Sequence, residues 1–382
     1  MTRTAIVFAL LLASLASFPP AAQAQSFGAA FPSTASGGPL PTPRTAEDVY
    51  RAACVTCHGE DGTGSSRAVV GFNVPLPDFT DCAFATAEPD ADWQAVVHEG
   101  GRVRGLDHHM PSFGEALTHD DIVLAVSHLR TFCKEPAWPR GDLNLPRAFF
   151  TEKAFPESEV VWSTAMSHRD GRAIGNEFTY EKRLGARNQF ELLVPIDLQH
   201  TTNGPTVRGL GDVAMAFRRT LYASVATGSI GAAGVEVAFP TGKESIGLGN
   251  GYGIVEPFAM WGQILPRNFF LQFHGGVELP ADTTLGAKEA YLRGAIGTTF
   301  AENRGFGRAW SPQVEVLWAR PWAGSSEWDV VPQLQVTLSK LQHVSVAAGV
   351  RIPVNERGER PAQGLVYLLW DFFDGGFFEF WK

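Results

Sequence analysis

The sequence predicts two folded units in tandem, an all-α domain followed by an all-β antiparallel barrel of about twelve strands. Length and polarity are the first observation. The chain has 382 residues, 45 % hydrophobic and 19 % charged, too apolar for disorder and too long for one ordinary compact domain. Composition is the second: 40 Gly, 27 Phe and 10 Trp against 5 Met and 4 Cys favour β-structure over a helical bundle or a disulfide-dense miniprotein. The third is a change of hydrophobic period, from 3.6 before residue 135 to 2 beyond about Ser158.

Residues 1–24 carry Arg3, an apolar run from Ala5 to Leu15 and an Ala22-Gln23-Ala24 ending, the pattern of a cleaved signal peptide. Export to a disulfide-permissive compartment is therefore expected. Residues 25–44 are rich in Pro, Gly, Ser and Ala and read as a flexible lead-in. Charge is unevenly placed: residues 45–135 hold 15 acidic and 6 basic side chains, and the rest of the chain 25 of each. The net charge of −9 excludes a polybasic nucleic-acid binder, and the acidic segment reads either as a field that steers a basic partner or as a well-solvated surface.

Thr45 and Asp48 stand in capping-box spacing at the start of a first helix, which runs into Cys54-Val55-Thr56-Cys57-His58. C-x-x-C-H is the pattern of covalent haem c attachment: two thiols add to the vinyl groups and the histidine meets the iron. A thioredoxin-like pair would need a βαβ frame, and a zinc site would need a second ligand pair at finger spacing; the surrounding residues offer neither. Met110, followed by Pro111, is the expected distal ligand, with His98, His108 and His109 as rivals. Thr118 and Asp121 cap a closing helix with Ile122, Val126, Leu129 and Phe132 on one stripe. Cys82 and Cys133 lie outside the haem motif and are expected to pair, two buried free thiols being the alternative.

Residues 45–135 resemble a class I cytochrome c. The resemblance implies one covalently attached haem c, thioether links at Cys54 and Cys57, proximal ligation by His58 and distal ligation by Met110.

Prolines at 136, 139, 146 and 156 mark residues 136–157 as an extended linker. About twelve alternating runs follow between 158 and 373, joined by connections that alternate between tight (184–186, 266–267, 340–341) and long (199–209, 240–251, 280–287). In one of them Trp328, Val330, Leu334 and Val336 share a face while Asp329, Gln333, Gln335 and Thr337 take the other. An even strand count with alternating turn lengths is the plan of an outer-membrane barrel, with Glu191, Asp212, Glu236, Glu278 and Arg351 as candidate lumen residues. Residues 158–382 resemble outer-membrane barrels proposed as transporters in the meta-cleavage pathway of phenol degradation. Gly211-Asp212-Val213-Ala214 and Phe239-Pro240-Thr241-Gly242 carry that likeness.

A twelve-strand barrel has a backbone diameter of roughly 24 Å, too narrow for a domain whose radius of gyration is near 13 Å. The haem domain is thus expected at the periplasmic mouth of the barrel, in the outer membrane of a Gram-negative cell. The leading expectation is an electron carrier and not an enzyme, since neither half shows a catalytic constellation. It would exchange single electrons with a basic periplasmic donor or acceptor while contacting outer-membrane lipid. A channel or transporter for a small compound with an accessory redox domain is one alternative. A soluble periplasmic cytochrome fused to a β-rich binding domain is the other.

Overall fold

The computed structural model describes residues 44–71, 73–168, 171–201, 206–302, 306–358 and 360–372; the signal-peptide reading at 1–24 lies outside the described residues. The N-terminal domain holds six α-helices: α1 (Ala46–Ala53), α2 (Val55–His58), α3 (Arg67–Val70), α4 (Cys82–Ala85), α5 (Asp90–Glu99) and α6 (His119–Leu129). Both expected capping boxes form, Thr45 with Asp48 and Thr118 with Asp121. α1 packs on α6 through Val49, Tyr50, Ile122, Val126 and Leu129, the centre of one apolar core. Cys82 and Cys133 are joined in a disulfide that ties α4 to the chain beyond α6.

The C-terminal domain is a closed antiparallel barrel. Its first half comprises β1 (Glu159–His168), β2 (Gly171–Leu184), β3 (Asn188–Thr201), the short β4 (Thr206–Leu210), β5 (Ala214–Ser224), β6 (Ser229–Ala238) and β7 (Ile254–Ile264). The second comprises β8 (Phe269–Pro280), β9 (Glu289–Thr298), the short β10 (Phe300–Ala301), β11 (Ala309–Pro321), β12 (Glu327–Thr337), β13 (Val344–Pro353) and β14 (Gln363–Asp371). β14 pairs with β1, from Glu159 opposite Asp371 onward, which closes the cylinder. Apart from β4 and β10, these are the twelve expected strands, with ends shifted by a few residues. β5 itself starts only at Ala214, because residues 211–213 join a loop clasp, with Gly211 still donating to the Pro195 carbonyl of β3 at 2.9 Å.

Strand alternation is explicit in β5, where Ala214, Ala216, Arg218 and Thr220 are buried inside and Met215, Phe217, Arg219 and Leu221 are exposed outside. The outer face continues with exposed Trp162, Met166, Leu198, Val235, Trp261, Ile296, Val314, Val316, Leu334 and Val350. An apolar exterior around a polar interior is the inverse of a soluble barrel and the pattern of one bathed in lipid. No helix among the described residues is long and apolar enough to cross a membrane.

Two expectations about this half are corrected. Residues 144–157 are no free tether: they enter the lumen and run across it, because their carbonyl and amide groups find partners on the inward side chains of six strands. Asp212 is no lumen residue either. It accepts hydrogen bonds from the amides of Gly242 (2.9 Å) and Asn250 (2.7 Å), while Thr241 takes the amide of Val213 at 2.9 Å. The two short motifs read in sequence therefore clasp each other across the β3–β5 and β6–β7 loops.

Candidate functional site

The first turn after α1 brings the C-x-x-C-H residues together: the amides of Cys57 and His58 both donate to the carbonyl of Cys54, at 3.2 and 3.0 Å. Cys54 is buried, Cys57 half-buried, and neither is oxidised. Burial pushes the Cys54 thiol up to about 11, which argues against a redox nucleophile, since that chemistry needs a populated thiolate. Burial also lowers the pKa of His58, leaving a neutral imidazole whose Nδ1 makes no hydrogen bond. Its ring lies 5.1 Å from that of Phe79, which meets Trp93 at 5.2 Å and opens onto Phe84. A free thiol pair, a neutral half-buried imidazole and an aromatic wall fit a porphyrin. The residues able to form two histidine, cysteine or carboxylate triads lie elsewhere, and neither triad includes Cys54, Cys57 or His58.

Met110 packs against the same apolar core that holds Cys54. Its turn is tight: the amide of Gly101 donates to the Met110 carbonyl at 3.0 Å, and a Cβ on Gly101 would lie 2.3 Å from the Asp107 carbonyl. The rival imidazoles point away from that core. His108 and His109 gather around the exposed Asp107 carboxylate, at 3.2 and 2.6 Å. His98 stacks on Phe306 of the barrel at 4.9 Å. The fold thus brings Cys54 and Met110 to one core, which His58 meets through Phe79, while His108 and His109 gather on Asp107 and His98 on the barrel's Phe306.

The domain sits against the barrel end that carries both barrel termini. Arg104, buried and paired with Asp92 at 2.6 Å, donates to the Phe306 carbonyl at 2.6 Å. His343 meets Glu88 at 2.8 Å. Phe306 belongs to the connection between β9 and β11, long for this end of the barrel, and His343 to the turn between β12 and β13. Sequence reading missed these contacts because each joins residues about 200 positions or more apart, with no local pattern to mark them.

Inside the lumen the missed residues are charged. Arg147 pairs with Glu159 and Glu181, both at 2.6 Å. Arg218 reaches Glu152 and Glu181, each at 3.1 Å. Lys153 is held by Glu157 and, at 3.5 Å, Glu159. Of the expected lumen residues, Glu191 is buried beside Arg218, and Arg351 pairs inward with Asp329 at 2.7 Å. Glu236 and Glu278 share the inward register of β6 and β8, two residues on from Gly234 and Gly276. Residues 144–157 carry their own signal in retrospect: Arg147, Glu152, Lys153 and Glu157 are densely charged for a linker that merely spans solvent.

Residues 41–129 match the family model described as cytochrome c oxidase, cbb3-type, subunit III. This agrees with the cytochrome c reading of residues 45–135. No curated protein matches. Among solved structures, the KdgM porin aligns over 56 % of this chain and 99 % of its own at 9 % identity and a TM-score of 0.39. The NanC porin does so over 56 % and 98 %, at 8 % identity and 0.39. The β domain of the Bordetella autotransporter BrkA aligns over 57 % and 100 %, at 12 % identity and 0.38. Fold and site define the class: a cytochrome c-type domain joined to a closed twelve-strand β-barrel.

Proposed function

We propose that this protein is a one-electron carrier fixed to the outer membrane. Cys54 and Cys57 would attach haem c, His58 and Met110 would ligate its iron, and the barrel would be its anchor. When bound, that haem supplies a single-electron couple, which a methionine ligand sets at a more positive potential than a second imidazole would. The chain's own part is to hold a neutral imidazole and a thioether against one apolar core. In the plan of such barrels, short turns and chain termini face the periplasm, which gives the haem domain that side. The acidic excess of residues 45–135 supports a basic redox partner.

The observation that carries this reading is the docking of the C-x-x-C-H domain onto the terminal end of a barrel with a lipid-compatible exterior. Membrane fractionation combined with pyridine-haemochrome analysis tests location and cofactor together. A c-type spectrum in outer-membrane fractions is expected, and colourless or water-soluble protein would refute the proposal. Stopped-flow reduction by a cationic donor should slow as salt rises, and a flat response would remove the basic partner.

A further inference from the structure

We infer that residues 144–157 are a resident plug, and that the lumen they seal is a latent cation-selective conduit. The plug is held along its whole length. The Glu315 carboxylate accepts the amides of Phe149 (2.9 Å), Phe150 (3.1 Å) and Thr151 (2.7 Å), and the Thr151 hydroxyl at 2.8 Å. Gln333 completes that carboxylate at 2.5 Å. Three successive amides on one buried carboxylate impose a tight local conformation, as an anion nest does. The carbonyl of Pro146 takes Gln272 at 2.8 Å, that of Arg147 takes Tyr367 at 2.8 Å and Gln313 at 2.9 Å, and that of Phe150 takes Arg293 at 3.1 Å. Ala154 and Glu157 are tied to Thr220 and Gln189. These partners come from strands all round the cylinder, so the segment crosses the bore.

The wall at the level of the plug has its own chemistry. Glu159, Glu181, Glu191, Glu236, Glu256, Glu315 and Asp329 face inward there, against the guanidinium groups of Arg183, Arg218, Arg293 and Arg351. Arg147 and Lys153, which belong to the plug, supply the cations of Glu159, and Arg147 shares Glu181 with Arg218 of the wall. Withdrawing the segment leaves an acidic wall, which concentrates cations and repels anions. On the terminal side a cavity of about 280 Å3 separates the plug from the docked domain, lined by Lys153, Glu157 and Asp371 below and by Asp92 and Arg104 above.

The inference needs the barrel to be membrane-embedded but not the haem to transfer electrons, so the two readings fail separately. The test is planar-bilayer recording of purified full-length protein in a KCl gradient. It compares the wild type, Glu315→Ala, and a variant in which residues 147–156 are replaced by Gly and Ser at equal length. Heat-modifiable gel mobility reports that each barrel is folded. The wild type should be nearly silent, the replaced variant should conduct on the order of tenfold more, with its reversal potential on the cation side, and Glu315→Ala should fall between. Wild-type conductance equal to that of the replaced variant would overturn the plug, as would a folded but silent replaced variant. A reversal potential on the anion side would overturn the conduit's selectivity.

Discussion

The two domains place their key residues at opposite scales of sequence. In the cytochrome domain the attachment motif sits in five contiguous residues that one turn of backbone from Cys54 to His58 assembles, and only Met110 comes from a distance. In the barrel the corresponding groups are scattered: Glu315 meets Thr151 across 164 positions and Tyr367 meets Arg147 across 220. Local chemistry survives in a short motif because backbone geometry alone brings it together. Lumen chemistry depends on strand register, and a slip by one residue would turn Glu181, Glu191 and Glu315 into lipid. The first domain should therefore fail by losing its group, and the second by losing its fit.

The sharpest way to break this comparison is in the motif. Replacing Cys54 and Cys57 by Ala should abolish covalent haem entirely while leaving barrel folding intact; a Soret band that survives denaturation would refute the attachment. Opening the Cys82–Cys133 bridge, which spans 51 residues of sequence, should lower the haem domain's stability by roughly 4 kcal/mol in the chain-entropy account. Denaturation of the Cys82→Ser/Cys133→Ser variant, followed at the haem, measures this, and the barrel's heat-modifiable mobility should not move. Met110→Ala is gentler, since thioether attachment does not need the distal ligand. That variant should keep its covalent haem, lose the weak near-infrared band of ferric His/Met haem and shift to lower potential. Retention of the band would reassign the ligand.

Much of this molecule is legible in its sequence, and the parts that are not share a physical cause. Capping boxes at Thr45 and Thr118 and the alternation of Asp329, Gln333, Gln335 and Thr337 against Trp328, Val330 and Leu334 are local rules, and they hold. Strand ends drift where a loop draws residues away, as the Asp212 clasp draws 211–213. The segment 144–157 deceives because prolines satisfy both an extended linker and an extended plug; only the inward side chains of distant strands tell them apart. The bridge of Cys82 to Cys133 was read by counting cysteines, whereas the docking of Arg104 on Phe306 had no such arithmetic.

The junction between the domains offers the mildest test. Glu88 and His343 meet at 2.8 Å with side chains 22 % and 8 % exposed, so the pair is partly screened and is worth about 1 kcal/mol. His343 is anchored apart from its ring, because the amide of Asp371 donates to its carbonyl at 2.8 Å. His343→Ala should therefore leave the barrel closed at the β14–β1 seam and act on docking alone. Arg104 and the stacking of His98 on Phe306 still hold the domain, so the change should be partial. Hydrogen exchange should rise severalfold in residues 299–302 and 338–343 and in α5, with the amides of β5 to β8 unchanged as an internal reference. If exchange at the junction does not move, docking rests on Arg104 and Phe306, and the comparison between a locally built site and a remotely built one sharpens to that single contact.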